Sequence, residues 1–181
     1  IASWANNSTS TTGSDNWSIY GNLFVRTRDG RAVGESDGII FGGSYDVPNQ
    51  NTSKARNWNV YNNVIADFGG TTVGNYSMNL NGTGHRVVNN VWYGFGPKAT
   101  ISCSADSNCG KNFCASSACG NIDLQGTGDP FVAGSSLNFL PRAGSPLINA
   151  GINLPKPADA VDPRGRERGA DGRWDIGALE Y

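Results

Sequence analysis

The stretch at residues 57–65, Asn-Trp-Asn-Val-Tyr-Asn-Asn-Val-Ile, decides the fold because two other stretches repeat it. Residues 16–24 are Asn-Trp-Ser-Ile-Tyr-Gly-Asn-Leu-Phe, and residues 84–92 are Gly-His-Arg-Val-Val-Asn-Asn-Val-Trp. All three copies contain an apolar residue, any residue, Gly or Asn, then Asn, and then two apolar residues. A short unit that recurs at variable spacing is typical of stacked repeats with loops of different length.

The alternation of side chains along a strand predicts which positions of this unit are buried. Every second residue of a strand points to the same side. We therefore expect the first apolar residue of each copy to face the core and its neighbour to face outward. The expected core residues are Ile19, Val60 and Val87, and the expected outward residues are Tyr20, Tyr61 and Val88.

The Asn that the three copies share falls at a corner between two strands. Asn tolerates the left-handed backbone that a tight corner needs, and stacked Asn side chains can bond to one another. The pattern therefore predicts a structural ladder of Asn22, Asn63 and Asn90. The residues after each corner are expected to resume the core, and they are Leu23, Val64 and Val91. The start of an earlier copy is indicated by Ala2, Trp4 and Asn6.

Composition favours short strands and turns over helices. The 181 residues include 25 Gly and 21 Asn, which are both poor in helix interiors. We expect an all-β fold, a short right-handed parallel β-helix of about three to four coils, with an irregular C-terminal covering segment. A β-sandwich is the alternative, because Asp29-Gly30 and Asn81-Gly82 suit hairpin turns. A sandwich, however, gives no reason for the recurrent corner Asn.

The character of the sequence changes at Asp129, where proline becomes frequent and the repeat stops. The segments that follow are Asp-Pro-Phe at 129–131, Leu-Asn-Phe-Leu at 137–140, Ser-Pro-Leu-Ile-Asn-Ala-Gly at 145–151, Asp-Pro-Arg-Gly at 162–165 and Asp-Ile-Gly-Ala-Leu-Glu-Tyr at 175–181. This run resembles the closing segment of bacterial right-handed parallel β-helix proteins, including those with a choice-of-anchor domain. It departs from them at Asn149, where they usually have Asp.

The resemblance implies an architecture and not an activity, because polysaccharide-degrading enzymes and adhesins share the same ending. We expect a single domain, with coils over residues 1–128 and a covering tail over residues 129–181. The apolar residues of the tail would close or flank the core. The stretch 162–175, rich in Arg and Asp, is expected to be a solvated surface whose charges pair with one another.

Four cysteines lie close together in a loop at about 103–119, namely Cys103, Cys109, Cys114 and Cys119. An even number in a polar segment predicts two disulfides and an oxidising compartment. Their even, wide spacing fits a zinc site poorly, so no metal is expected. Three pairings are possible, and the sequence does not choose among them.

The remaining features predict an extracellular or cell-surface protein. Residues 1–15 show no signal peptide, so an exported protein would already have lost it. Candidate sites for N-glycosylation in a eukaryotic host are Asn6, Asn7, Asn16, Asn51, Asn75 and Asn81. A chain rich in Asn, Ser and Thr also yields such sequons by chance, which is the preferred interpretation at each site. The formal net charge of −1 gives no reason to expect nucleic acid as a partner, and no apolar run is long enough to span a membrane.

The sequence contains no set of residues to which catalysis can be assigned, and no cofactor is expected. His85, the only histidine, aligns with Trp17 and Trp58, which indicates a stacked structural role. The acidic residues do not recur at one position of the repeat, as a glycosidase or lyase site would lead us to expect. Tyr20 and Tyr61, if exposed, could stack on sugar rings, although an ordinary aromatic pair is the preferred interpretation.

Two functions follow from this pattern. We expect a secreted structural β-helix protein that stacks head to tail into an extracellular filament, since stacked repeats without end caps expose strand edges. The alternative is the C-terminal part of a larger carbohydrate-active enzyme, a polysaccharide lyase or glycoside hydrolase, or of an adhesin. The expected partners are accordingly other copies of the chain, or a polysaccharide.

Overall fold

The computed structural model describes residues 15–26, 55–67, 78–80, 82–94, 99–103, 108–115, 119–120, 122–155 and 160–181. These residues form short strands, one 3-10 turn at Gly134–Ser136 and no α-helix. The strands are β1 (Ser18–Tyr20), β2 (Leu23–Arg26), β3 (Ala55–Arg56), β4 (Asn59–Tyr61), β5 (Val64–Asp67), β6 (Met78–Leu80), β7 (Gly82–Thr83), β8 (Arg86–Val88), β9 (Val91–Tyr93), β10 (Ala99–Cys103), β11 (Asn108–Gly110), β12 (Phe113–Ala115), β13 (Cys119–Gly120), β14 (Leu124–Gln125), β15 (Phe131–Ala133) and β16 (Asn138–Pro141).

Strands from successive copies of the repeat stack in parallel. The first sheet has the order β1-β4-β8-β11, and the second has the order β14-β12-β9-β5-β2. Ile19 pairs with Val60, and Val60 pairs with Val87, which is the register that the repeat predicts. A third parallel sheet has the order β13-β10-β6. The described residues therefore form a strand-rich structure without helices, in a parallel, β-helix-like arrangement that differs from a sandwich of hairpins.

Each layer of the stack is called a rung here, and it consists of a strand of the first sheet, two corner residues and a strand of the second sheet. Rungs 1 to 4 contain β1 and β2, β4 and β5, β8 and β9, and β11 and β12. Rung 5 has only the second-sheet strand β14 in the residues that the structure describes. The upper end of the stack is the β1/β2 edge, and the lower end is the β14 side.

The left-handed residue at each corner is the one before the shared Asn, so the predicted conformation is displaced by one position. Positive φ values of 65°, 51°, 57° and 55° belong to Gly21, Asn62, Asn89 and Lys111. The side chain of Asn62 points outward, where its amide donates to the Asp175 carbonyl oxygen at 3.0 Å. The side chains of Tyr61 and Asn62 therefore both point outward at this corner. The alternation of inward and outward side chains shifts by one residue there.

The core prediction is confirmed for Val64 and Val91, which are fully buried in an apolar cluster, and it is wrong for Leu23. The shift by one residue places the two valines on the outer face of the second sheet. A Cβ on Gly177 would meet Val91 at 3.2 Å and Val64 at 3.4 Å, so both valines face the tail. Leu23, at the equivalent position of rung 1, is 43% exposed. The next residues of β5 and β9, Ile65 and Trp92, are buried, and alternation points them to the other side of the sheet.

The tail also buries residues that were expected to be exposed. Tyr61 and Val88 face away from Val60 and Val87 as predicted, but they are 5% and 0% exposed. Trp174 covers both of them, together with Ile152 and Leu154 from the same tail. Only rung 1 keeps its outward aromatic residue in solvent, since Tyr20 is 37% exposed.

The tail forms a second apolar cluster on the outer face of the second sheet. Strands β15 and β16 pair antiparallel and bring Phe131 and Phe139 edge to face, with ring centroids 5.3 Å apart. Tyr93 packs edge to face on both rings, and such pairs add about 0.5–1.5 kcal/mol each to simple burial. Burial and the neighbouring Asp129 carboxylate raise the pKa of Tyr93 to about 12. The tail residues of the cluster are Phe131, Phe139, Leu147, Ile176 and Ala178.

A second column of residues with left-handed backbone precedes the strands of the first sheet. Gly84 belongs to this column, and its position requires a residue without a Cβ. Asn16 and Asn57 have φ values of 62° and 57°, and the Asn57 amide donates to Asn16 Oδ1 at 3.2 Å. Gly84 continues this column with a φ of 70°, and a Cβ there would lie 2.5 Å from Asn57 Oδ1.

We expect Gly84→Ala to lower the free energy of unfolding by about 2–3 kcal/mol, from left-handed strain and from the Asn57–Asn16 hydrogen bond that is lost when the Asn57 side chain moves aside. Gly144→Ala is the matched control, because Gly144 has a φ of 72° with nothing within 4 Å of an added Cβ. The control should lose only the left-handed strain, about 1–2 kcal/mol. Urea unfolding of both variants measures the difference, and equal losses would contradict the role of Asn57.

Several sequence predictions fall outside the described residues or only partly within them. Cys109 and Cys114 are each disulfide-bonded, whereas the side chains of Cys103 and Cys119 lie outside the described part, so the pairing stays a prediction. Asn16 is exposed. The other candidate glycosylation sites lie outside the described residues, and they are Asn6, Asn7, Asn51, Asn75 and Asn81.

Candidate functional site

The shared Asn side chains lie directly above one another in a ladder. The backbone N–H and the side-chain Nδ2 of Asn22 both donate to Asn63 Oδ1, at 3.1 and 3.0 Å. Asn63 donates to Asn90 Oδ1 in the same way, at 3.1 and 2.9 Å. Asn63 and Asn90 are fully buried, so these bonds satisfy polar groups that would otherwise be costly inside the protein.

The ladder continues through a member that the sequence analysis missed. Asn90 donates from both its nitrogens to Asn112 Oδ1, at 3.0 Å each. Rung 4 escaped notice because Cys109, Gly110 and Lys111 replace the Val-Val-Asn that precedes Asn90. The pair of Asn112 followed by Phe113 matches Asn90 followed by Val91, and this Asn-apolar step was the remaining signal.

Asp123 terminates the ladder at the lower end. Its two carboxylate oxygens accept the backbone N–H groups of Asn112 at 2.9 Å and Lys111 at 2.6 Å. A carboxylate accepts as the Asn amide does, but it has no N–H to donate to a further rung. The ladder therefore has a direction, because in every bond between two Asn side chains the upper amide donates to the oxygen of the lower one.

The upper end of the ladder presents an acceptor. Within the described residues no group donates to Asn22 Oδ1, whereas Oδ1 of each lower Asn accepts two bonds from the rung above. The second Nδ2 hydrogen of Asn63 reaches up to the Ile19 carbonyl at 2.9 Å. That of Asn22 turns back to Tyr20 of its own rung. Asn22 thus lacks the bonds that a rung above it would supply.

The same end exposes strand edges and apolar side chains. Among the described residues, β1 pairs only with β4, and β2 pairs only with β5, so the other edge of each strand has no partner strand in this part of the chain. Four large hydrophobic residues lie here, each more than a third exposed. They are Trp17, Tyr20, Leu23 and Val25. Unpaired edges combined with exposed apolar residues are typical of an association surface.

Two aromatic columns also end at the upper end. Trp17 stacks on buried Trp58 with ring centroids 5.9 Å apart, and Tyr20 stacks on Tyr61 at 5.1 Å with an interplanar angle of 12°. His85 lies next in the first column, buried, and its Nδ1 accepts the Trp58 backbone N–H at 3.3 Å. The structure thus places His85 in the core. Of the two tyrosines predicted to contact sugars, only Tyr20 is exposed.

The Arg- and Asp-rich stretch of the tail is mostly exposed, as expected, but three of its charged residues are buried, namely Asp162, Arg168 and Asp175. Arg168 and Glu180 are 3% and 4% exposed and form an ion pair of 2.9 Å. Burial raises the pKa of Glu180, and the negative charge of Asp175 adds to the rise. The burial of Arg168 was not predicted because the sequence does not show that the tail folds back on itself.

Asp162 organises the turn before this ion pair. Burial raises the pKa of Asp162, but hydrogen bonds from the Arg166 N–H and the Arg164 side chain outweigh it, so the pKa lies below its ordinary value. Its carboxylate also accepts the Glu180 N–H at 3.1 Å, which ties the turn to the chain end. The charged groups of this cluster contact one another and the backbone, which indicates a structural role.

The described residues contain no group of three His, Cys, Asp or Glu placed to hold a metal ion. No helix in this part of the chain is long and apolar enough to cross a membrane. Comparison with protein families, with curated proteins and with solved structures finds no match to this chain. The upper end is therefore identified as the candidate functional site from its geometry alone.

Proposed function

We propose that this protein is a secreted structural protein whose copies associate through the upper end, head to tail, into an extracellular filament. The observation that carries the proposal is the exposure of four large apolar side chains at one end of the stack, those of Trp17, Tyr20, Leu23 and Val25. They lie beside β1 and β2, each of which pairs with one strand among the described residues. A contact between unlike ends builds a fibre when the rotation between neighbouring copies does not close into a ring. The disulfide bonds of Cys109 and Cys114 support an oxidising location outside the cell.

The finer architecture belongs to the same proposal. We take the stack to be a right-handed parallel β-helix, because crossovers between parallel strands of one sheet are right-handed in about 98% of cases. The residue pattern of the tail, from Asp129 to Tyr181, supports kinship with bacterial proteins of that architecture. The hand of the coil is measurable in a crystal structure of the protein, and a left-handed coil would contradict this part of the proposal.

Substitution of Leu23 tests the association surface. Leu23→Lys places a charge beside the free edge of β2, so we expect association to weaken at least about tenfold, since burying an unpaired charge is costly. Leu137→Lys is the matched control, because Leu137 is similarly exposed, at 48%, but lies in the tail. Light scattering and electron microscopy over a concentration series measure the assembly. A wild-type protein that stays monomeric at all concentrations would contradict the proposal.

A longer carbohydrate-active enzyme or adhesin is the second candidate. It is favoured by the upper ladder end at Asn22, which an earlier rung of one longer chain would complete as well as a second copy would. Exposed Tyr20, stacked on Tyr61, also offers a flat ring to a sugar. A reading frame with many more copies of the repeat upstream, together with discrete particles in electron micrographs, would favour this candidate over the filament.

A further inference from the structure

We propose that the lower end of a second copy covers the upper end, with Asp123 of that copy placed directly above Asn22. This inference rests on the proposed self-association and names the surface of the partner copy that carries it out. It follows from the hydrogen-bonding groups at the two ends of the ladder and from the register of the second sheet. All of these groups belong to the described part of the chain.

Every step of the ladder contains the same backbone bond. The backbone N–H of the upper ladder residue donates to the side-chain oxygen of the lower one, at 2.9–3.1 Å. The ladder residues in order from the upper end are Asn22, Asn63, Asn90, Asn112 and Asp123. A residue placed above Asn22 must therefore bring an N–H group to Asn22 Oδ1.

The lower end of the stack supplies such an N–H group. Asp123 precedes Leu124 as Asn112 precedes Phe113, and Leu124 pairs with Phe113, so Asp123 occupies the ladder position of rung 5. The residues above it direct their backbone N–H downward, and the Asp123 N–H has no acceptor among the described residues. A ladder donor without a partner and a ladder acceptor without a partner thus lie at opposite ends of the described stack.

A second backbone bond recurs beside the ladder. The first residue of each lower strand in the second sheet donates its N–H to the carbonyl oxygen of the ladder residue above it, at 2.8–3.1 Å. The donors are Val64, Val91, Phe113 and Leu124. Leu23 is the corresponding residue of rung 1, and a copy above it would bring the carbonyl of Asp123, which accepts no backbone bond in the described residues. The proposed contact therefore continues both backbone bonds of a ladder step.

The second sheet places an apolar pair at the same contact. Phe113 pairs with Leu124 as Leu23 pairs with Val64, so a continued stack puts Leu124 above Leu23. Leu124 is partly buried against the apolar cluster beneath the tail, whereas Leu23 is exposed. Covering Leu23 removes apolar surface from water, which favours the contact. Strand β14 would pair with β2 in parallel, as the other strands of this sheet do.

Asp123 also limits the strength of this contact. Between two Asn residues, the upper amide adds a second bond to the oxygen that accepts the backbone N–H, whereas a carboxylate has no N–H to donate. The contact would also move the negative charge of Asp123 out of water, which is costly. Asp123 therefore permits the contact but makes it weaker than a step inside the stack.

Replacing Asp123 with Asn tests the register of the contact. The new amide would donate to Asn22 Oδ1 of the copy below and the charge would be absent, so we expect association at least about tenfold tighter than in the wild type. Asp171→Asn is the matched control, because it removes the same charge from an exposed position of the tail. Sedimentation velocity over a concentration series measures both variants. Unchanged or weaker association of Asp123→Asn, with a folded circular dichroism spectrum, would contradict the placement of Asp123 above Asn22.

Two blocking variants identify the partner surface. Leu23→Lys places a charge at the upper end, and Gln125→Lys places one at the lower end, where Gln125 is exposed on β14. We expect each variant alone to associate at least about tenfold more weakly than the wild type. An equimolar mixture should form one-to-one dimers and nothing larger, because one copy keeps its lower end and the other keeps its upper end. Light scattering after size-exclusion chromatography reads the masses.

The outcomes separate this inference from the proposed function. If Gln125→Lys assembles as the wild type does, or forms dimers by itself, the upper end has another partner surface. That result overturns the inference while association at the upper end stands. A mixture that stays monomeric also overturns it, and a wild-type protein that never assembles overturns both proposals. If Gln125→Lys does not fold, the association of Asp123→Asn decides the inference.

Discussion

Replacing Asn90 with Leu should lower the free energy of unfolding by about 4 kcal/mol, because unsatisfied buried polar groups cost about 1–3 kcal/mol each. The Asn90 oxygen accepts two bonds from Asn63, and its amide donates to Val60, Val88 and Asn112. A Leu side chain would leave these groups without partners in a site that is fully buried. A loss of this size is a large share of the 5–15 kcal/mol typical of a folded domain.

Asn59→Leu is the matched control for this prediction. Asn59 lies on the neighbouring rung and donates only to the Asn57 carbonyl, at 3.3 Å, so its replacement should cost less than about 1 kcal/mol. Urea unfolding followed by circular dichroism measures both variants. A loss below about 1 kcal/mol for Asn90→Leu would mean that the ladder contributes little to stability, and the role assigned to its direction would then lose support.

Replacing Arg168 with Met should cost about 3–5 kcal/mol, because it leaves the Glu180 carboxylate buried without its cation. Arg168 also donates to the Ala178 carbonyl at 2.6 Å, so the tail loses a second contact. Arg56→Met is the control, since Arg56 pairs with Asp15 at the surface, with a side chain that is 59% exposed. Exposed pairs contribute about 0–1 kcal/mol, and urea unfolding of both variants gives the comparison.

The pH dependence identifies Glu180 as the source of that loss. Burial already raises the pKa of Glu180, and Arg168 opposes this rise, so Arg168→Met raises the pKa further. A carboxyl group with a raised pKa in the folded state favours folding at low pH, and this advantage is lost as the pH rises through the folded pKa. The stability difference between wild type and Arg168→Met should therefore be greatest near neutral pH and should shrink in acid. A difference that stays constant with pH would point to lost packing instead.

The repeat by itself predicts the parallel stack and its register. The spacing of Ile19, Val60 and Val87 is a property of the chain, and the structure pairs these residues as aligned. Rung 4 was not recognised from the sequence because Cys109 and Lys111 do not match the apolar residue and the Asn that the repeat has at these positions. A repeat is recognisable from sequence only where its residue types recur, whereas the hydrogen-bond register of a sheet tolerates many types.

The sequence analysis also assigned the wrong direction to the side chains of the strands that follow each corner. Alternation was counted through the corner, although Gly21, Asn62 and Asn89 have left-handed backbones that shift it by one residue. Val64 and Val91 are buried in an apolar core, as predicted, but this core lies between the second sheet and the tail. Counting from the left-handed residue, which is Gly or Asn in each copy, would have placed them correctly.

The sequence alone determined which residues repeat, and therefore which strands lie side by side, because that information is local and periodic. Only the tertiary structure decided which surfaces are buried. Asn62 bonds to Gly177, 115 residues away, and no local pattern encodes a contact of that range. The return of the tail covers rungs 2 and 3 while leaving Tyr20 and Leu23 exposed, and so the open upper end follows from where the chain folds back.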